Sequence, residues 1–80
     1  MNYQLPSSLT QKNVLSCLRQ IQESKTTEVV IIDGSKVNNI DSAGIALLLE
    51  LQAGIPNLQF TNLSPPILQM ADLYRISFPN

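Results

Sequence analysis

Eighty residues with a formal net charge of −1 and an ordinary apolar fraction allow one domain, residues 1–80, and no second core. A chain this short buries only about 60–65% of its unfolded surface, so a single small core has to carry the fold. Five scattered basic residues (Lys12, Arg19, Lys25, Lys36, Arg75) form no patch for nucleic acid, and the absence of histidine removes the usual general base and the commonest metal ligand.

The N-terminal Met1–Pro6 has neither a basic n-region nor an apolar h-region and does not read as a signal peptide. Tyr3–Leu5 predicts a short strand ended by Pro6. Thr10 predicts the N-cap of a helix reaching about Ser24, with Val14, Leu15, Leu18 and Ile21 on its buried stripe. Cys17, the one cysteine, sits inside that helix as a buried, inert thiol, which leaves no intrachain disulfide and no thiolate zinc site.

Val29-Val30-Ile31-Ile32 is β-branched without alternation, which predicts a strand buried on both faces, as in a parallel sheet. Asp33-Gly34-Ser35 bounds it. Lys36–Ile40 then reads as a connection, anchored by Val37 and Ile40, with Asn38 and Asn39 in a turn. Asp41 or Ser42 caps a second helix running to about Ala53, with Gly54 at C′ and Pro56 blocking continuation.

Leu58–Leu63 alternates and predicts the next strand. Ser64 and Pro65 open a third helix, whose inner stripe is Ile67, Met70, Ala71 and Tyr74, and Ile76–Phe78 reads as a last extended segment. Strand and helix alternate throughout. The prediction is therefore an α/β fold with a mostly parallel sheet, right-handed crossovers and helices packed on it. No apolar run approaches the ~20 residues of a membrane span.

The second helix is apolar nearly all round. Packing on a sheet needs one stripe, such as Ile45, Leu48, Leu49 and Gln52, while Ala46, Leu47 and Leu51 point partly elsewhere. Two explanations stand at this stage: Leu47 and Leu51 complete the edge of the core, or they form a protein contact.

The chemistry concentrates at Asp41-Ser42-Ala43-Gly44. A helix N-terminus presents unpaired N–H groups and a partial positive charge that suit a capping carboxylate or a phosphate, and the small Ala43 and Gly44 leave room for a partner to come close. As a bare pattern, Asp-Ser is a cap signature. A serine nucleophile would need a base, and neither a histidine nor a well-placed lysine supplies one.

Val29-Val30-Ile31-Ile32-Asp33-Gly34-Ser35, followed by Val37, Ile40-Asp41-Ser42-Ala43-Gly44 and Leu47-Leu48-Leu49, resembles the STAS domain family of sulfate transporters and anti-sigma factor antagonists. The resemblance runs from roughly Tyr3 to the end and is most specific in the central motif. It implies a small STAS-type domain whose usual N-terminal β-hairpin is here shortened to one strand.

The resemblance also implies a non-enzymatic protein without cofactor or metal, working through a partner-binding surface of Lys36, Asn38, Asn39, Asp41, Ser42, Ala43, Gly44 and Leu47. The tail Leu68–Ile76 and the Ile45–Leu49 run resemble the small STAS (MlaB-like) subunit of the Mla-type phospholipid ABC transporter. That branch implies binding to the cytoplasmic (MlaF-like) ATPase, and through it to the membrane permease. The location implied is cytoplasmic and peripheral to the inner membrane, with no insertion and no nucleic acid. The Ser-Ala of this motif, where Mla relatives often carry Thr-Gly, is nearer to the anti-sigma factor antagonists, in which phosphorylation of the serine matching Ser42 turns partner binding off.

Overall fold

The computed structural model describes residues 1–23 and 28–78. In chain order the elements are β1 (Asn2–Gln4), β2 (Ser8–Leu9), α1 (Val14–Glu23), β3 (Val30–Asp33), β4 (Asn39–Ile40), α2 (Ser42–Gly54), β5 (Leu58–Thr61) and α3 (Pro65–Leu73). All pairings among the described residues are parallel. β3 lies between β1 and β5, and a separate two-residue ladder joins β2 to β4. The expected α/β architecture is what the chain forms.

Register explains how the sheet is covered. Tyr3, Ile32 and Phe60 are aligned across the three strands, and Val30 is aligned with Leu58. Side chains alternate along a strand, so these residues share one face, and Val30, Ile32 and Phe60 on it are buried. Asn2, Gln4, Ile31, Asp33, Gln59 and Thr61 share the opposite face, where none is buried. The expectation that Val29–Ile32 is buried on both faces is therefore corrected. Val29 is outside the strand and exposed, and β3 alternates buried and half-buried. A run of β-branched residues hides this alternation, because Ile31 is apolar on a face otherwise lined by polar side chains.

The helices supply the cover for the buried face. Leu5, Leu9, Ile21, Ile32, Leu48, Leu51 and Ile67 are essentially inaccessible and form the centre of the core. Tyr3 ties β1 to α1, its hydroxyl donating to Gln20 Oε1 at 2.6 Å, and burial pushes its pKa up to about 12. Phe78 is buried and meets Phe60 edge-on, with ring centroids 5.4 Å apart. That is a packing contact rather than the expected extended segment, since 76–78 forms no strand.

Several boundaries differ from expectation. Regular helix begins at Val14, not directly after Thr10. Residues 11–13 form a turn in which the Thr10 carbonyl accepts from the N–H groups of Asn13 and Val14, both at 3.0 Å. The expected end near Ser24 lies outside the described residues. Lys36–Ile40 is not wholly a loop, because Asn39–Ile40 is β4. Ser64 does stand at the N-cap of α3, but its buried hydroxyl makes no capping bond. Pro65 and Pro66 lack N–H donors and fix φ, so the first turn needs little from the cap.

Gly54 is the last residue of α2 rather than a left-handed C′ residue, and no described glycine has positive φ. Tyr74, expected inside, is 52% exposed. The cause is the way α3 ends. The Ile76 N–H donates to the Ala71 carbonyl at 2.9 Å and the Arg75 N–H to that of Asp72 at 3.0 Å, a Schellman closure with Arg75 at φ 56°. Arginine in that conformation carries a Cβ penalty that glycine does not. Arg75→Gly, at an exposed residue with no ion pair among those described, is expected to stabilise the fold by about 0.5–1 kcal/mol. A thermal melt should rise by a few degrees, and an unchanged or lower midpoint would mean that the arginine side chain compensates its own strain.

Candidate functional site

The start of α2 is held by one carboxylate. Asp41 is its N-cap: Oδ1 accepts from the Gly44 N–H at 3.1 Å, and Oδ2 accepts from the Gln11 N–H at 3.1 Å. The same side chain thus closes the first turn of α2 and ties it to the turn before α1. The Asp41 N–H donates to the Leu9 carbonyl at 3.4 Å, continuing the β2–β4 ladder into the cap. Between the two candidate caps the structure selects Asp41. Ser42 is the first helical residue, and it is exposed.

Hydrogen bonding keeps this carboxylate ionised. The N–H of Gln11 is the main cause that lowers the Asp41 pKa below the ordinary carboxylate value; desolvation, next in size, opposes it, and the N–H groups of Gly44 and Ala43 add smaller lowering effects. Asp33 is lowered in the same way, first by the Ser35 N–H, which donates to its Oδ1 at 2.8 Å. A lowered folded pKa contributes stability that is complete above the unfolded value, near pH 4, and is lost as pH falls through the folded value. Melting temperature is therefore expected to fall as pH drops below about 4. Asp41→Asn should flatten that fall without abolishing it, because Asp33 still contributes; an unchanged profile would contradict the role given to Asp41.

Two depressions flank the helix start. One is polar and is lined by Ser8, Thr10, Gln11, Lys12, Asn39 and Asp41, among others. The other is an apolar groove between the helices, formed by Val14, Leu15 and Leu18 of α1 and Ala43, Ala46 and Leu47 of α2, with Glu50 also on its wall. Ser42 lies between a residue that lines the first depression and one that lines the second.

The residues expected at the site separate accordingly. Asn39 and Asp41 line the polar depression, Ser42 is exposed, and Ala43 is half-buried on the groove. Lys36 and Asn38 are exposed but line neither depression: Lys36 lies near Asp33, and the Asn38 N–H binds the Ser7 carbonyl at 2.8 Å.

Two members are corrected. Gly44 is buried and faces inward; a Cβ there would sit 2.4 Å from the Leu9 carbonyl oxygen and 2.6 Å from Ile40 Cγ1. Its small size serves close packing of α2 on the β2–β4 ladder, not the approach of a partner. Leu47 is only 4% exposed and belongs to the core, as does Leu51. Leu49, expected on the core stripe, is the exposed one at 39%.

Sequence reasoning missed the contribution of α1. Leu15 was expected on the buried stripe, yet it is 65% exposed beside the groove. The signal lay in the adjacent pair Val14-Leu15: two consecutive residues point about 100° apart on a helix, too far for one narrow stripe.

No group of acidic, cysteine or histidine side chains among the described residues is placed to hold a metal. No described helix is long and apolar enough to cross a membrane. The chain matches no protein-family model, no curated protein and no solved structure.

Proposed function

We propose that this chain is a non-enzymatic, STAS-type regulatory subunit that docks on the cytoplasmic ATPase of an Mla-type phospholipid ABC transporter. The docking centre is the start of α2, with Ser42 at its middle and Lys36, Asn38 and the β4 residue Asn39 beside it. The observation that carries this reading is an exposed hydroxyl on a helix end already fixed by Asp41, next to an apolar groove. Such a surface is pre-shaped for contact, and the sequence has no histidine to serve as the usual general base beside it. The resemblance of the motif and of the tail supplies the class of partner.

Ser42→Glu tests it. A carboxylate in the first turn of a helix suits the helix dipole, so the fold is expected to hold or gain slightly. Binding of purified ATPase is expected to weaken by about tenfold, the effect of a charge forced into a packed contact. Equal affinities for wild type and variant would remove Ser42 from the interface.

The exposure of the Ser42 hydroxyl also favours a second reading, an anti-sigma factor antagonist switched by phosphorylation there. Affinity capture separates the two. An ABC ATPase with its membrane subunits supports the first reading, and an anti-sigma kinase supports the second.

A further inference from the structure

We infer that the groove between α1 and α2 receives an amphipathic helix of the partner, with a lysine or arginine of that helix meeting Glu50. The inference rests on the start of α2 being a docking surface and names the element that docks.

The walls are the first ground. Leu15 is 65% exposed and Leu18 half-buried on one side, while Ala43 and Ala46, one helical turn apart, face them from the other. Leu47, the large apolar residue of the α2 wall, is only 4% exposed, so the two alanines keep that rim low and let a third helix approach closely along the seam.

The kind of backbone is the second. Neither wall is a sheet edge, so a strand laid here would leave its own N–H and C=O groups without partners against an apolar surface. A helix satisfies those groups internally and needs only an apolar stripe at i, i+3/i+4 and i+7.

Charge is the third. Glu50, the most C-terminal residue on the groove's α2 wall, is exposed and makes no ion pair among the described residues. It favours a basic residue on the occupant and disfavours the phosphate of a lipid lying with its acyl chains in the groove.

The test uses a synthetic helical peptide of about four turns with leucines at i, i+3/i+4 and i+7 and one lysine a turn further on. Titration into the isotope-labelled chain is expected to give saturable amide shifts at Leu15, Ala43, Ala46 and Glu50. Leu15→Asp, at an exposed residue and checked by a thermal melt, is expected to weaken binding at least about tenfold. Glu50→Lys is expected to weaken it about fivefold, and a peptide with glutamate in place of lysine should restore it.

No saturable shift, or a charge exchange without effect, overturns the inference. So do shifts produced by lysophosphatidylcholine and not by the peptide, or concentration-dependent shifts at these residues in the chain alone, which would place a lipid or a second copy in the groove. Capture of the ATPase is read separately. If folded Leu15→Asp still captures it as well as wild type does, the groove is not the docking element while the proposed function stands. If wild type captures no ATPase but binds the peptide, the proposed function fails and the groove remains.

Discussion

Replacing Gly44 by alanine is expected to destabilise the domain by about 2 kcal/mol, although alanine is the better helix former. Two effects oppose each other. Exchanging glycine for alanine inside a helix gains about 1 kcal/mol from propensity. Against that, the new methyl would stand 2.4 Å from the Leu9 carbonyl oxygen and 2.6 Å from Ile40 Cγ1. The first of these atoms is backbone in the β2–β4 ladder and cannot swing aside, so overpacking of about 3 kcal/mol is expected and prevails. In a domain of this size the melting temperature should fall by about 8–16 °C.

Gly54→Ala is the control. A Cβ there meets nothing within 4 Å and the backbone has no positive φ, so this exchange should raise the melting temperature by a few degrees. If both variants behave alike, the inward role given to Gly44 is wrong.

The second large effect concerns which leucines of α2 hold the core. Leu47→Glu is expected to abolish the cooperative thermal transition. The side chain is 4% exposed, and an unpaired carboxylate there costs several kcal/mol, out of a total stability of about 4–12 kcal/mol for a chain of this length. Leu49→Glu, at a residue 39% exposed, should fold and melt within a few degrees of wild type. Circular dichroism of the two proteins decides the matter. A folded Leu47→Glu would favour the protein contact over the core edge, the two explanations its sequence leaves open.

Much of the architecture was legible because its signals are local. Asp41 before Ile45–Ala53, with Pro56 beyond, placed α2 to within a residue or so, and Ser64-Pro65 marked the start of α3. The order of β1, β3, β5 and the three helices followed from the same punctuation, whereas a single strand was expected before α1 and the structure has two. What escaped depends on contacts distant in sequence. β2 and β4 are two residues each, too short for a periodic pattern, and exist because Ser8–Leu9 and Asn39–Ile40 meet across the fold.

The rotation of α2 escaped for a related reason. A helix that reads Ile-Ala-Leu-Leu-Leu carries almost no directional signal, so only packing decides that Leu47 turns in and Leu49 out. Tyr74 was assigned inward by counting along a helix that in fact ends at Leu73. The candidate site was legible at Asp41 and Ser42, while the role of Gly44 and the wall supplied by α1 needed the third dimension.

The joint between β2, β4 and Asp41 has a kinetic consequence. It connects the approach to α1 with the start of α2 through the paired Leu9–Ile40, the Asp41 N–H and both carboxylate oxygens. The spacing of the two helix starts is therefore set in the free chain, and the proposed docking would require little rearrangement, with backbone shifts of about 1 Å or less. Arrival should then be governed by collision and orientation rather than by opening of the domain. Variants along the groove should differ mainly in residence time, with rates of association nearly the same. Cutting the Asp41–Gln11 tie should have the opposite signature, slowing capture because the walls must first be brought together.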